Sequence, residues 1–335
     1  MAGETPQMLE DGTSFGSYEI IRLLGRGASG EVYLAKEALS GKLYAVKAMR
    51  PEALRDAEER FLREAEAAMS MRHPNLVEVY DAGLDPVTGL YYLIMEYMPA
   101  ASLREELEKG ERIGFERVAH IAADVAAALA VIESHSLVHR DVKPANILLA
   151  ADGTAKLADL GMSRSVEPET GDANITQAED VVGTPAYMAP EQMLDSRAVD
   201  IRADIYSLGI VLYEMLAGRR PNEGENAMTT LARALDGREA PDVRLARPDT
   251  PAPLAALVAS MIAPSPDRRP PSAAHVLAAL AHPERIPINA VDRDADDAFS
   301  RQLPWYQDRS VLYALVALVV SLEALAVVAV NIFRR

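Results

Sequence analysis

The sequence predicts an α+β chain: a small β-rich part, a larger helical part after it, and an apolar segment near the end. Three observations carry this. Residues 18–98 hold short apolar runs that alternate with period two and are broken by Gly, Pro and Asp; residues 99–282 shift to helical apolar spacing; and Val311 to Phe333 is a run of 23 residues with one charge, Glu323. With 335 residues, 49% of them hydrophobic, the chain is long enough for one two-lobed domain or two small ones. A net charge of -16 argues against a nucleic-acid partner, whose phosphates it would repel; the plainer reading of that acidity is solubility. There is no cysteine, so disulfides and thiolate metal sites are excluded, which fits a reducing compartment.

Taken in order, residues 1–17 are acidic without an apolar run and read as a disordered leader, not a signal peptide. Tyr18, Ile20 and Leu23-Leu24 form a strand that enters Gly25-x-Gly27-x-x-Gly30-x-Val32, and Glu31 to Ala35 form the strand that leaves it. In a dinucleotide-binding fold the third glycine would open a helix instead, so local structure disfavours that reading. Lys47 sits on the next strand, Lys42 to Met49. Arg55 to Met71 has helical composition, and Leu76 to Tyr80 and Leu90 to Tyr97 read as strands on either side of a turn at Asp85 to Gly89. Ser102 is the N-cap of a helix from Leu103 to Lys109, and Phe115 to Ser134 has the spacing of a buried helix. Asn146 to Leu149 and Ala155 to Ala158 flank Asp152-Gly153, a short-hairpin signal.

Met162 to Val182 is polar, with Pro168 and Gly171, and reads as a mobile loop. An apolar helix opens near Asp204 and runs to Ala217, and an Ala-rich one covers Ser272 to Leu280. Residues 283–310 hold prolines and a charged run, as a linker would. As a helix rising 1.5 Å per residue, residues 311–333 would reach about 34 Å, sufficient for a hydrocarbon core of about 30 Å. Trp305, Tyr306 and Tyr313 stand where interfacial aromatics are expected. The alternative is an amphipathic docking helix, but both flanks of Glu323 are apolar on all sides.

The chemistry concentrates in His139-Arg140-Asp141-Val142-Lys143-Pro144-Ala145-Asn146, with Asp159-Leu160-Gly161 following the hairpin. Three acceptor side chains and a cation suit a centre that handles phosphate and magnesium. Asp141 can accept a hydroxyl proton, Asn146 and Asp159 offer the oxygen ligands Mg²⁺ prefers, and Lys143 can neutralise a transferring phosphoryl group. The hairpin would return Asp159 beside Asn146. Together with the glycine loop and Ala45-Val46-Lys47, these residues resemble the protein kinase signature set, in chain order, from Tyr18 to Ala281.

The resemblance implies a two-lobed kinase fold, N-lobe 18–98 and C-lobe 99–282, using ATP and Mg²⁺. It assigns Gly25, Gly27, Gly30, Val32, Ala45, Lys47, Glu96, Met98 and Leu148 to nucleotide binding, with Met95 guarding the back pocket. Asp141, Lys143, Lys47 and Glu64 form the catalytic set, and Asn146 and Asp159 the metal pair. Glu64 is the family's match for the glutamate that pairs with Lys47; Glu59 and Glu66 are its neighbouring alternatives. Asp204 would fasten the catalytic loop, and Arg269 would pair with Glu191 at the end of the substrate-docking segment Gly183 to Glu191. Lys143 with Thr184 resembles the serine/threonine kinases. Thr176 is the expected autophosphorylation site, with Thr170 as runner-up and Arg140 to bind the phosphate.

Leu160 departs from the family's usual Phe, and Ser102 and Ala145 replace the glutamates by which basic-directed kinases hold a substrate arginine. The chain looks most like bacterial membrane serine/threonine kinases, which implies protein substrates, a lipid-spanning segment at 311–333, and a kinase domain in the cytoplasm at the cell membrane. Arg334 and Arg335 run against the positive-inside tendency. The rival is a pseudokinase scaffold that binds nucleotide and partners without transfer. Within the span, Ala317, Ser321, Ala324 and Val328 form a small-residue stripe and Glu323 lies off it, so self-association or a membrane partner is expected, against a lone protonated glutamate in lipid.

Overall fold

The computed structural model describes residues 8–27, 30–50, 58–160, 185–194, 199–224 and 227–286. Thr170, Thr176, Thr184, Glu323 and the predicted span 311–333 lie outside the described residues; among those described, no helix is long and apolar enough to cross a membrane.

The period-two segments pair into one antiparallel sheet. Its strands are β1 (Ser14–Phe15), β2 (Tyr18–Gly27), β3 (Gly30–Glu37), β4 (Leu43–Met49), β5 (Val79–Leu84) and β6 (Tyr91–Glu96), in the order β1-β2-β3-β4-β6-β5. Alternation sorts the side chains onto two faces. Val32 stands opposite Lys47, and Ala45 opposite Met95. The other face carries Ile20, Tyr33, Ala35, Val46, Ala48 and Ile94, all buried. α1 (Glu58–Ser70) buries Phe61, Ala65 and Ala68 at helical spacing, with Phe61 edge-on to Tyr91 at 5.7 Å.

Two sequence expectations are corrected here. The leader expected to be disordered through residue 17 is part of the fold from Met8: Leu9 and Phe15 are 3% and 2% exposed, and β1 pairs with β2. Its acidic composition conceals two apolar anchors. The strand expected at 76–80 begins later, at Val79, and runs on to Leu84. Leu76 and Val77 belong elsewhere. Leu76 bridges Leu157 in parallel, the Val77 N–H donates to the Leu157 carbonyl at 3.0 Å, and the Leu157 N–H donates to the Asn75 carbonyl at 2.8 Å. Asp81 and Gly83 look like turn residues, but β5 is the edge of the sheet and carries a bulge, where they are tolerated.

The second lobe is helical. α2 (Leu103–Glu108) opens with a reciprocal capping box between Ser102 and Glu105. α3 (Phe115–Ser134) follows, then a small sheet of β7 (Ala101–Ser102), β8 (Ile147–Leu149) and β9 (Ala155–Leu157). After it come α4 (Pro190–Leu194), α5 (Ile201–Ala217), α6 (Ala227–Leu235), α7 (Ala252–Met261) and α8 (Ala273–Ala281). α5 is buried along nearly its whole length, including Asp204, Ser207 and Glu214 among its mostly apolar residues, and so is the natural anchor for loops that must not move.

Candidate active site

The site lies where the sheet face bearing Lys47 meets the loop before β8. Gly25, Val32 and Lys47 stand across from one another in register, with Ala45 two residues along β4 on the same face. Gly30 has φ 144°, and a Cβ there would lie 2.2 Å from the Ala48 carbonyl oxygen, so only glycine lets β3 pass this close to β4. Among the described residues, a Cβ at Gly25 or Gly27 would meet nothing within 4 Å, which leaves room there for a ligand to approach. Glu96 and Met98 follow along the connection to the second lobe, and Leu148 lies on β8 beneath.

The loop residues converge as the spacing predicts. Lys143 Nζ lies 2.7 Å from Asp141 Oδ2, and Asn146 Nδ2 donates to the Asp141 carbonyl at 2.8 Å and to Oδ2 at 3.0 Å. With its amide nitrogen so engaged, Asn146 turns its oxygen away from Asp141 as a ligand. The Ala158 N–H donates to the Asn146 carbonyl at 2.8 Å, so the hairpin does bring the strand before Asp159 back to Asn146. The donor set, one amide oxygen and one carboxylate, suits Mg²⁺ completed by phosphate oxygens.

Asp159 Oδ1 is 3.1 Å from Lys47 Nζ, whose side chain is 7% exposed. Burial acts to raise the Asp159 carboxyl; Lys47, by charge and hydrogen bond and with help from the charge of Lys143, reverses this and holds it below the usual carboxylate range. Asp159 and Arg140 both adopt positive φ, 57° and 65°, conformations that side-chain-bearing residues hold only when their surroundings impose them. The surroundings do so. The His139 and Arg140 N–H groups donate to Asp204 at 2.6 and 2.7 Å, and Gln192 Nε2 donates to the Arg140 carbonyl at 2.8 Å. Burial lowers the His139 pKa; the neutral ring accepts from the Asp141 N–H at Nδ1 and donates from Nε2 to the Ala158 carbonyl.

Burial pushes the Asp204 carboxyl up to about 7, against the two N–H bonds that pull it down. A carboxyl whose pKa is raised on folding keeps its proton longer in the folded chain. Its contribution to stability is therefore present at acid pH and lost as pH rises through about 7. Asp204→Asn cannot ionise, so the fall in melting temperature between about pH 5 and about pH 8 should be shallower in the variant. Parallel pH profiles would refute this.

The expected Lys47–Glu64 pair is not formed: among the described residues, the ion pair of Lys47 is with Asp159. α1 presents Phe61, Ala65 and Ala68 to the sheet, and this rotation leaves Glu64 half-buried on a cavity of about 140 Å³, lined also by Ser136, Arg140, Leu160 and Val199. Leu160 fills a slot beside His139, where it and Met95 line a second, much smaller cavity. The Glu191–Arg269 pair is present, with Arg269 Nη2 at 2.9 Å from Glu191 Oε2. Sequence reasoning missed Lys156, whose Nζ lies 2.8 Å from both Glu96 carboxylate oxygens and joins the lobes behind the site. Strand alternation could have placed Lys156 opposite to Ala155 and Leu157, but nothing local names a partner 60 residues away.

A family model described as "Protein kinase domain" matches residues 18–283. The chain is 37% identical over 280 residues to the serine/threonine-protein kinase PknB of Mycolicibacterium smegmatis, covering 82% of this chain and 43% of that one. It is 34% identical over 256 residues to the serine/threonine-protein kinase PrkC of Bacillus subtilis, covering 76% and 38%. The chain thus spans about two fifths of the length of these curated relatives. Among solved structures, the PknI kinase domain of Mycobacterium tuberculosis superposes with a TM-score of 0.65 at 28% identity, covering 82% of this chain and 99% of that one. By sequence, by fold and by the order of its site residues, the chain belongs to the protein kinase family.

Proposed function

We propose that the chain transfers the γ-phosphoryl group of ATP to serine or threonine hydroxyls of proteins. The observation that carries this is the Asp141 carboxylate, held by Lys143 and Asn146 on the loop before β8, with Asp159 in the same lobe paired to Lys47 on the sheet face above. Asp141 takes the proton of the attacking hydroxyl as its oxygen bonds to phosphorus and ADP departs. Lys143 compensates charge beside it. Lys47 meets the nucleotide phosphates, the glycine arm covers them, and the Glu96 to Met98 backbone receives the adenine, because the Glu96 carboxylate is occupied by Lys156. Asn146 and Asp159 would hold Mg²⁺, which supplies charge neutralisation at the phosphates. Catalysis of this kind is positioning and electrostatics.

For Glu64 to pair with Lys47, α1 would have to turn it from the Arg140 cavity. Autophosphorylation at Thr176, a span at 311–333 placing the kinase domain in the cytoplasm, and pairing of chains through that span belong to the same reading and rest on sequence. A radiolabelled-ATP assay with generic protein substrates tests it, followed by mass spectrometry of residues 162–182. Absence of transfer from a folded, ADP-binding chain would favour the scaffold alternative. Lys47→Ala should weaken Mg·ADP binding by about thirtyfold, since removing one partner of a buried charge pair costs about 2 kcal/mol or more. Unchanged affinity in a calorimetric titration would remove Lys47 from the nucleotide site.

A further inference from the structure

The segment Met8–Phe15 crosses the outer face of the sheet and reaches the glycine arm. Leu9 and Phe15 are buried there with Ile20, Tyr33, Val46 and Ile94. The backbone of the segment is also tied to one carboxylate. Glu31 is 6% exposed and takes the Met8 N–H at 2.8 Å, the Tyr33 hydroxyl, and Arg26 Nε at 3.1 Å. The Tyr33 hydroxyl in turn accepts the Leu9 N–H at 3.0 Å. Burial and the bond to Glu31 push Tyr33 up to about 12, so it keeps the proton it donates.

Glu31 occupies a telling position. It adjoins Gly30 and pairs in register with Arg26, while Gly27 pairs with Gly30. The close approach of Gly30 to Ala48 fixes β3 from beneath. The arm of β2 that carries Arg26 and Gly27 is tied to β3 through the ladder, and Glu31 adds a side-chain hold on it through Arg26. We infer that Met8–Phe15 is a strap that sets the position of the glycine arm, with Glu31 and Tyr33 as positioning residues for nucleotide binding. The inference rests on the proposed use of the glycine arm to cover nucleotide phosphates. Without the strap, a buried carboxylate loses one backbone donor directly and Tyr33 loses the partner that orients it. A buried acceptor short of donors is costly enough to turn toward water, and Arg26 would follow it.

The test uses the full chain and Mg·ADP titrations. Tyr33→Phe deletes the hydroxyl relay and keeps the ring in its packing; Glu31→Gln keeps shape and one acceptor but loses the charge on Arg26. Each should weaken Mg·ADP by about 2- to 30-fold, the span expected for residues that couple to a site without touching its ligand. The KM for a protein substrate and kcat at saturating ATP should stay within about twofold of wild type. Ile94→Val, which trims the same core without touching the relay, should lower the melting temperature and leave the Mg·ADP affinity alone. If Tyr33→Phe and Glu31→Gln behave as Ile94→Val does, the strap is packing only and the inference is overturned. A wild-type chain that binds Mg·ADP yet transfers no phosphate would instead sink the kinase reading and leave this test intact.

Discussion

Replacing Asp141 with asparagine should lower phosphate transfer by about 10²- to 10⁴-fold, the range lost when a positioned general base is removed. Nucleotide affinity should hardly change. The side chain keeps its shape, and among the described residues its hydrogen bonds are to Lys143 and Asn146, with none to Lys47. Lys143 would lose a charged partner, but it is partly exposed and can be hydrated. Single-turnover rates alongside Mg·ADP titrations check both halves. Near-normal turnover would mean that the proton acceptor lies elsewhere, and a large fall in affinity would mean that Asp141 holds the nucleotide.

The largest effect on stability is expected at Arg269. Its side chain is fully buried, with Nη1 and Nη2 on the two Glu191 oxygens and further bonds to the carbonyls of Ala263, Arg202 and Pro264. The guanidinium also lies 4.7 Å from the Tyr206 ring centroid. Arg269→Ala abandons a carboxylate and three carbonyls together. Breaking one side of a buried pair costs about 3–5 kcal/mol, and in a domain of this size each kcal/mol lowers the melting temperature by about 2–4 °C. A fall of about 10 °C is therefore expected. Arg269→Lys should recover little, because an ammonium cannot span the planar fork that reaches Glu191 and the carbonyls at once. A shift of only a degree or two in a thermal melt would show that solvent reaches this site.

What could be read from the sequence was what depends on short spacings. Asp141, Lys143 and Asn146 share one loop, and the Asp152-Gly153 hairpin returns the chain toward Asn146, so that cluster follows from local geometry. The strand carrying Lys47 and the Ser102 cap were readable for the same reason. Glu64 was harder. Its place on α1 follows from sequence, but its direction depends on how Phe61, Ala65 and Ala68 seat against the sheet. The Glu96–Lys156 pair joins residues with no local relation at all. The first residues misled in another way: an acidic average hides two anchors, Leu9 and Phe15, that burial makes decisive.

The bonds between Asn75, Val77 and Leu157 carry a mechanical consequence. Side-chain pairs aside, the backbone joins the lobes at 97–100, beside the Glu96–Lys156 pair, and separately through this bridge ahead of β5. Two fixed points define an axis, so the upper lobe is left one easy rotation, like a door on a pair of pins. Points near that line travel little and distant ones travel far. Asp159 is two residues from Leu157 and so lies close to the axis, while the glycine arm is at the far rim. Opening and closing the cleft would then swing the cover over the phosphates while the carboxylate beneath keeps its station.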